Sequence, residues 1–397
     1  MPNTYHILLT IDVEDWFQVE NFKQCIPFSS WPSCELRVEK NTHRLLDLLD
    51  GQLSAVSSQR SISTNPTNPS DSLRRGRIDH CQFHQETDKT IKSNRSRKSC
   101  LTKNSPSATF FILGWIAERL PHLVREIHTR GHEVASHGYY HNLCNQQSPD
   151  ALKKDLADSK KLLEDIIGAP VYGYRAPSFA INEDILKVIE DCGYLYDSSY
   201  NSFGMHGRYG QLDLSRNGAR GIALQISDNR SQTNLTDSTS LRQRRIDFSA
   251  FHLERQKPKD TKSEKSCQSC LTRGHHKQSS IVNLQSSIFF ELPISNLKLG
   301  NRIFPWGGGG YFRLMPYPLF RMGVRSILRK QKAYLFYMHP WEVDPEQPKV
   351  NEAPAFYKFR HYTNLDKTAY KLSSFIEAFK AYPFITCHQY LEVSGAD

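Results

Sequence analysis

The chain has 397 residues, enough for one large or two average domains, and its 38% hydrophobic fraction is low for a compact protein of this length. A formal net charge of +10 would ordinarily suggest a nucleic-acid partner. That excess is local, because residues 51–107 and 212–287 together carry about +12 and leave the remainder near −2, so no specific nucleic-acid partner is expected.

Residues 5–11 form an apolar run ending in acidic residues, which predicts a buried strand with functional groups at its C-terminal end. Within 37–49, Leu45, Leu46, Leu48 and Leu49 lie at roughly helical spacing. Residues 108–113 (ATFFIL) predict a second buried strand. A helix is expected from there to His128, with Ile116, Leu120, Leu123, Val124 and Ile127 on one side and Gly131 ending it. A short strand follows at 133–136, and Ser148-Pro149-Asp150 opens a helix that closes at Gly168. The alternation continues at 171–174, 183–192, 194–196, 288–292, 334–337, 365–379 and 384–387. Repeated strand–helix units predict an α/β fold with a parallel sheet, and so many of them favour a distorted, nearly closed (β/α) barrel.

Two polar stretches, 51–107 and 212–287, interrupt what otherwise reads as a single domain over 1–397. They resemble each other: SLRRGRID at 72–79 with Phe83-His84 lines up with SLRQRRID at 240–247 with Phe251-His252. They read as two copies of one segment inserted into loops, with a composition that favours disorder. Without them about 265 residues remain, near the ~250 of one barrel domain. The nine cysteines are an odd number without framework spacing, and Cys267 and Cys270 form a CxxC with no second pair to complete a zinc ribbon. Reduced thiols in a cytoplasmic protein are the expectation. No basic stretch followed by an apolar core opens the chain, and no run approaches the ~18 apolar residues of a membrane span, so neither a signal peptide nor a transmembrane helix is expected.

Four polar clusters fall at or just beyond expected strand ends. Asp12-Val-Glu14-Asp15-Trp16 puts three carboxylates in four positions, which would repel one another in a dry pocket without a compensating cation or proton. His137-Gly-Tyr-Tyr-His141 has the spacing that sets two imidazoles on one side of a helical turn, suitable for one metal ion. Joined to a carboxylate from the first strand, it would make a His₂-carboxylate set with open positions for water and substrate. In Tyr174-Arg175-Ala-Pro177-Ser-Phe179, an always-charged guanidinium can orient a carboxylate. The fourth cluster, Phe336 to Glu342, delivers His339 to the end of an apolar strand. Barrel active sites assemble at such ends.

The ordered set LTIDVEDW, SHGYYH, YRAPSF, YDSS and YMHPWE resembles the polysaccharide deacetylases with a NodB-type homology domain, also grouped as carbohydrate esterase family 4. It is most similar to the exopolysaccharide- and exosortase-associated bacterial branch. The resemblance covers nearly all of the chain outside the polar stretches, including 108–138 and GGGGYFR at 307–313. It implies a NodB-type barrel and a divalent metal cofactor, with Zn²⁺ the expected ion. Residue by residue, it implies that Asp12 is the general base, His137 and His141 are metal ligands, Arg175 orients the base and His339 is the general acid. The adjacent aspartates common in the family's first motif are absent, since Val13 follows Asp12; Glu14 is then the expected carboxylate ligand, with Asp15 the alternative. The fourth motif is not cleanly present, and Asp197 stands in as the residue steering His339.

The implied activity is hydrolysis of N-acetyl groups on an amino-sugar polymer. The backbone N–H of Tyr139 is expected to hold the oxyanion, with Pro177 and Trp341 on the substrate side. Trp16, Tyr140, Phe179 and Trp306 are further candidates for a sugar groove. The expected partners are an N-acetylated polysaccharide or oligosaccharide and, peripherally, membrane-bound polysaccharide-synthesis machinery at the inner membrane face. A cyclic-amide hydrolase of allantoinase or imidase type, and a non-catalytic sugar-binding barrel, are the alternatives.

Overall fold

The computed structural model describes residues 5–51, 105–204, 209–210, 212, 221–222 and 289–394. The internal repeat, the Cys267–Cys270 pair and the expected disorder of the polar stretches lie outside the described residues. In chain order the first elements are β1 (His6–Val13), α1 (Val38–Leu49), β2 (Ala108–Ile112), α2 (Gly114–Arg119), α3 (Pro121–Thr129) and β3 (Glu133–Ser136). Next come α4 (Pro149–Ile167), β4 (Gly173–Tyr174), α5 (Glu183–Asp191), β5 (Tyr196–Asp197), β6 (Gly221–Ile222) and β7 (Phe290–Glu291). The hairpin β8 (Asn296–Leu299) and β9 (Arg302–Pro305) precedes α6 (Gly309–Leu314), α7 (Tyr317–Gln331) and β10 (Ala333–Met338). Helices α8 (Ala355–Tyr362), α9 (Leu365–Phe379) and α10 (Cys387–Ser394) complete the described chain.

Eight strands form one parallel sheet in the order β10-β1-β2-β3-β4-β5-β7-β6. The sheet curls back on itself through irregular backbone. Leu292 and Ile294 donate to the carbonyls of Asp197 and Tyr200, after which Ser295 reaches Leu335 and Gly307 accepts from Tyr337 on β10. The expected α/β distorted barrel is therefore the observed fold.

Period-two alternation along the strands decides what faces the barrel axis. On β1, Ile7, Leu9, Ile11 and Val13 belong to the outer core under the helices, whereas Leu8 belongs to the inner cluster. Thr10 and Asp12 continue the inner face, so an acidic side chain arrives inside the barrel at its C-terminal mouth. On β10, Tyr334, Phe336 and Met338 pack outward while Leu335 and Tyr337 point in, which carries His339 to the same mouth.

Three departures from the sequence reading have local causes. The helix expected through His128 is two, α2 and α3, broken at Leu120 (φ −126°, ψ 55°). Pro121 follows, and a proline disfavours the helical conformation of the residue before it. The strand expected at 384–387 is reduced to one bridge between Phe384 and Ile7, and Cys387 opens α10 instead. That helix seals the barrel floor, where Cys387, Tyr390 and Leu391 join the inner cluster. Finally, the β8–β9 hairpin turns at Gly300, whose φ of 58° lies in the left-handed region that favours glycine; no periodicity announced it.

Candidate active site

At the mouth, Arg175 is fully buried and organises its surroundings. Its Nη1 donates to Asp12 Oδ1 at 2.6 Å and to Thr10 Oγ1 at 2.7 Å. Nε donates to the Ser198 carbonyl at 2.9 Å and Nη2 to Ser198 Oγ at 2.8 Å, with the guanidinium 4.1 Å above the Phe111 ring. A buried, multiply bonded ion pair of this kind fixes the carboxylate's orientation. The Arg175 carbonyl has a second task, accepting from His137 Nδ1 at 2.8 Å. This bond sets the tautomer of His137 and leaves Nε2 as the lone-pair nitrogen. Burial, only partly offset by Asp12, lowers the His137 pKa to about 4, so the ring is neutral at neutral pH.

Gly138 has φ +77°, and a Cβ there would lie 2.9 Å from Asp155 Oδ1, so the turn that brings His141 back beside His137 requires glycine. The two rings sit 5.4 Å apart. Glu14 lies beyond the end of β1, with Oε1 2.9 Å from His339 Nε2 and Oε2 3.0 Å from His141 Nε2. The second approach is close but not aligned as a hydrogen bond, and Oε2 is a buried oxygen with no hydrogen-bond partner. Burial would raise the Glu14 carboxyl, yet His141 and His339 hold it well below its usual range.

These observations test the fit to a metal ion. A neutral His137 with its Nε2 lone pair free, an orphaned Glu14 oxygen and His141 beside it are the donor types a divalent ion needs. Among the described residues, no three His, Cys, Asp or Glu side chains are already gathered to hold one; Glu14 turns toward His339 instead. The donor chemistry fits a divalent ion held by Glu14, His137 and His141.

His339 stands opposite Arg175. Its Nε2 is 4.0 Å from Asp12 Oδ2, and its Nδ1 is 3.0 Å from Glu342 Oε1. Burial would lower its pKa, but Glu14 and Glu342 raise it to about 10, making it an imidazolium between two carboxylates. Glu342 in turn accepts from Arg313 Nε at 2.7 Å, and Arg313 is pinned by the carbonyls of Arg360, His361 and Thr363. A Cβ at Gly309 would fall 2.2 Å from Glu342 Oε1, so this glycine makes room for the carboxylate. Trp341 lines the pocket, stacked between His339 at 5.0 Å and His361 at 4.1 Å.

Four sequence-based assignments need correction. Asp15 does not face the pocket, because Oδ2 accepts from the N–H groups of Arg37 and Val38 at the start of α1 and Oδ1 accepts from Trp16. Asp197 does not steer His339; it bonds to Ser199 and shares a buried site with Glu291, whose carboxyl is pushed well up by burial and by Asp197. Glu342 holds the imidazole instead. The Tyr139 N–H is already committed to Asp155 Oδ1 at 3.0 Å. Pro177 is buried in its turn, and its neighbours Ser178 and Phe179 line the pocket. Of the aromatic candidates, Trp16 and Trp306 belong to the core, with indole N–H groups donating to Glu35 and Phe320 carbonyls.

Glu342 and Arg313 were missed as a pair. The three-residue spacing from His339 to Glu342 is that of a capping box, the one signal available, and the structure shows that box formed. Strain also marks the pocket: His141, Ser178 and Phe179, all lining it, have φ values of 56°, 53° and 60°. Non-glycine residues held in that region are commonest at functional sites.

Residues 95–196 match the family model for polysaccharide deacetylase, and residues 269–392 match a domain of unknown function, DUF3473. The first segment holds His137, His141 and Arg175, and the second holds Arg313, His339 and Glu342. Among curated proteins, the chain is 32% identical over 94 residues to a peptidoglycan-N-acetylglucosamine deacetylase of Bacillus cereus, covering 24% of this chain and 44% of the relative. It is 36% identical over 91 residues to a peptidoglycan deacetylase-like protein of Gibberella zeae, covering 23% and 27%. Over 94 residues it is 30% identical to a chitooligosaccharide deacetylase of Azorhizobium caulinodans, covering 23% and 45%. The chain thus spans less than half the length of these relatives. A solved structure from Mycobacterium smegmatis that carries the polysaccharide deacetylase name aligns with 100% of this chain and 92% of its own, at 15% identity and a TM-score of 0.48.

Proposed function

We propose that this chain is a metal-dependent hydrolase that removes N-acetyl groups from an amino-sugar polysaccharide. The observation that carries the reading is the meeting of Asp12 and His339 across one pocket, 4.0 Å apart, each held by its own buried partner. Amide hydrolysis needs such a pair, one group to take a proton from water and one to give a proton to the leaving nitrogen.

Asp12, fixed by Arg175, would accept the proton of the attacking water. His339, held by Glu342, would donate a proton from Nε2 to the amine nitrogen as its bond to the acetyl carbon breaks. Acetate and a free amino sugar are the products. Glu14, His137 and His141 would hold the divalent ion, for which Zn²⁺ suits the donor set; when bound it polarises the acetyl carbonyl and lowers the pKa of water. Trp341 keeps the His339 ring from swinging and offers an apolar wall for the sugar.

Among the described residues no helix is long and apolar enough to cross a membrane. In this reading the enzyme works in the cytoplasm on precursors of an exopolysaccharide, peripherally associated with synthesis machinery at the inner membrane face. The resemblance of the DVEDW and HPWE motifs to the exopolysaccharide-associated branch supports that part.

The test is acetate release from N-acetylglucosamine oligosaccharides by metal-stripped protein, before and after adding Zn²⁺, with Asp12→Asn as control. Zn²⁺-dependent acetate that disappears in the variant is expected. Stoichiometric metal binding without acetate would reject the reading and direct attention to small cyclic amides.

A further inference from the structure

Charge is distributed unevenly over the folded part of the chain. From Leu292 to Trp341 there are eight lysines and arginines and no aspartate or glutamate. Arg313 is engaged by Glu342 inside the barrel. The other seven lie on the β8–β9 hairpin, on α7 or, for Lys332, just beyond it. Arg302, Arg325, Arg329 and Lys330 are exposed, and among the described residues no carboxylate pairs with any of the four.

The same surface holds apolar side chains in water. The hairpin is anchored at its base, where Leu297 and Trp306 are buried and Trp306 Nε1 donates to the Phe320 carbonyl of α7 at 2.9 Å. From Lys298 to Phe304 every residue is exposed, so both faces of the ladder stand in solvent, Leu299 at 55%. A two-stranded hairpin has little stability of its own, and here Leu299, Ile303 and Phe304 add no core to it. The hairpin lies along α7, where Lys330 Nζ reaches the Lys298 carbonyl at 3.5 Å. On the helix, Leu319, Met322, Arg325 and Arg329 follow at spacings of three and four, which sets them on one exposed face, Met322 at 66%.

Cations interleaved with exposed aliphatic and aromatic side chains fit an anionic lipid surface, whose phosphates meet the charges while the acyl boundary takes the apolar tips. Nucleic acid would satisfy the charges but offers nothing to Leu319 and Met322, and a second copy would set like charges against like. From this charge asymmetry and these side chains we infer that the β8–β9 hairpin and α7 form a docking surface for an anionic bilayer. The surface begins beside the reaction pocket, since Gly310 and Tyr311 line the pocket and exposed Leu314 follows them. Docking thus brings the pocket rim near the headgroups. The inference goes beyond the hydrolase reading and does not depend on turnover.

Sedimentation of the full chain with phosphatidylcholine vesicles, pure or containing about one-third phosphatidylglycerol, tests it. The anionic vesicles should bind at least about tenfold more tightly than the neutral ones, and less so as salt rises. Arg325→Gln with Arg329→Gln should weaken that binding about 20-fold, whereas Arg325→Lys with Arg329→Lys should bind as wild type. Phe304→Ser with Met322→Ser, which keeps every charge, should weaken it about tenfold. All three pairs should unfold at the wild-type denaturant concentration. A wild-type chain without preference for anionic vesicles overturns the inference, as does wild-type binding in the glutamine pair, which would move the contact to the basic polar stretches. Vesicle binding indifferent to the Phe304 and Met322 changes, with duplex DNA binding lost in the glutamine pair, overturns it in favour of nucleic acid. If vesicle binding behaves as expected while no acetate is released, the hydrolase reading fails and the docking surface stands.

Discussion

The carboxylates buried at the two ends of the barrel are held in different ways. At the floor, the Glu133 carboxylate accepts from Thr109 Oγ1 and Tyr196 OH at 2.7 Å and from the His388 N–H at 3.1 Å, and α10 closes over it. Each oxygen there has a partner supplied by the fold. At the mouth, Glu14 Oε2 is buried without a hydrogen-bond partner, three non-glycine residues have left-handed backbone, and four histidines and four carboxylates crowd one pocket. Polar burial that is satisfied specifies a structure; polar burial left incomplete at a cost is the signature of a site that something else completes. Substitutions at the mouth should therefore remove activity and those at the floor should remove stability.

The largest effect is expected from the two groups that face each other across the pocket. Asp12→Asn and His339→Ala should each lower turnover by ~10²-fold or more while Zn²⁺ still binds. Wild-type-like turnover in either would erase the functional half of the comparison. Next, Glu14→Gln should weaken Zn²⁺ binding by ~10- to 100-fold in a calorimetric titration. Asp15→Ala, one residue along, should leave Zn²⁺ affinity unchanged and instead cost about 1–2 kcal/mol in denaturant unfolding, because Asp15 satisfies the first N–H groups of α1. The reverse pattern would restore Asp15 as the ligand. A third substitution probes the link between His339 and its support: Glu342→Gln should lower turnover about tenfold with little change in KM, since it disturbs the orientation of the imidazole rather than substrate contact. An unchanged rate would show that Trp341 alone holds the ring.

The sequence made one side of this mouth readable and hid much of the other. Asp12 lies near the end of β1, and His137, His141 and Arg175 follow strand ends, all within short motifs, so spacing and strand position together brought them to one place. Asp15 misled because three carboxylates in four residues look equivalent on paper. Only the fold shows that the chain turns after Glu14 and sends Asp15 to α1. Arg313 and Glu342 lie 29 residues apart and meet only because β10 returns the chain beside the glycine run before α6. Likewise, the sealing of the floor by α10 depends on Cys387 donating its N–H to Thr109, a contact 278 residues apart that no local pattern encodes. Long strands and well-capped helices were legible because their signals are local; the hairpin after β7 and the barrel's closure through irregular backbone were not.

The floor yields the smallest effect and the clearest check on the comparison. Burial pushes the Glu133 carboxyl up, and its hydrogen bonds from Thr109, Tyr196 and His388 offset only part of that. A carboxyl whose folded pKa is raised keeps its proton longer in the folded than in the unfolded chain. Its contribution to stability is thus fully present below the ordinary carboxylate range and is lost as pH rises through the folded pKa. Glu133→Gln cannot ionise, so its unfolding free energy should lack that decline with rising pH. It should cost about 1 kcal/mol at low pH, where the protonated carboxyl it replaces serves the same three donors better. Acetate release should follow wild type throughout. If Glu133→Gln instead lowers turnover without changing the pH dependence of stability, the floor takes part in the chemistry and the division between the two ends of the barrel is wrong.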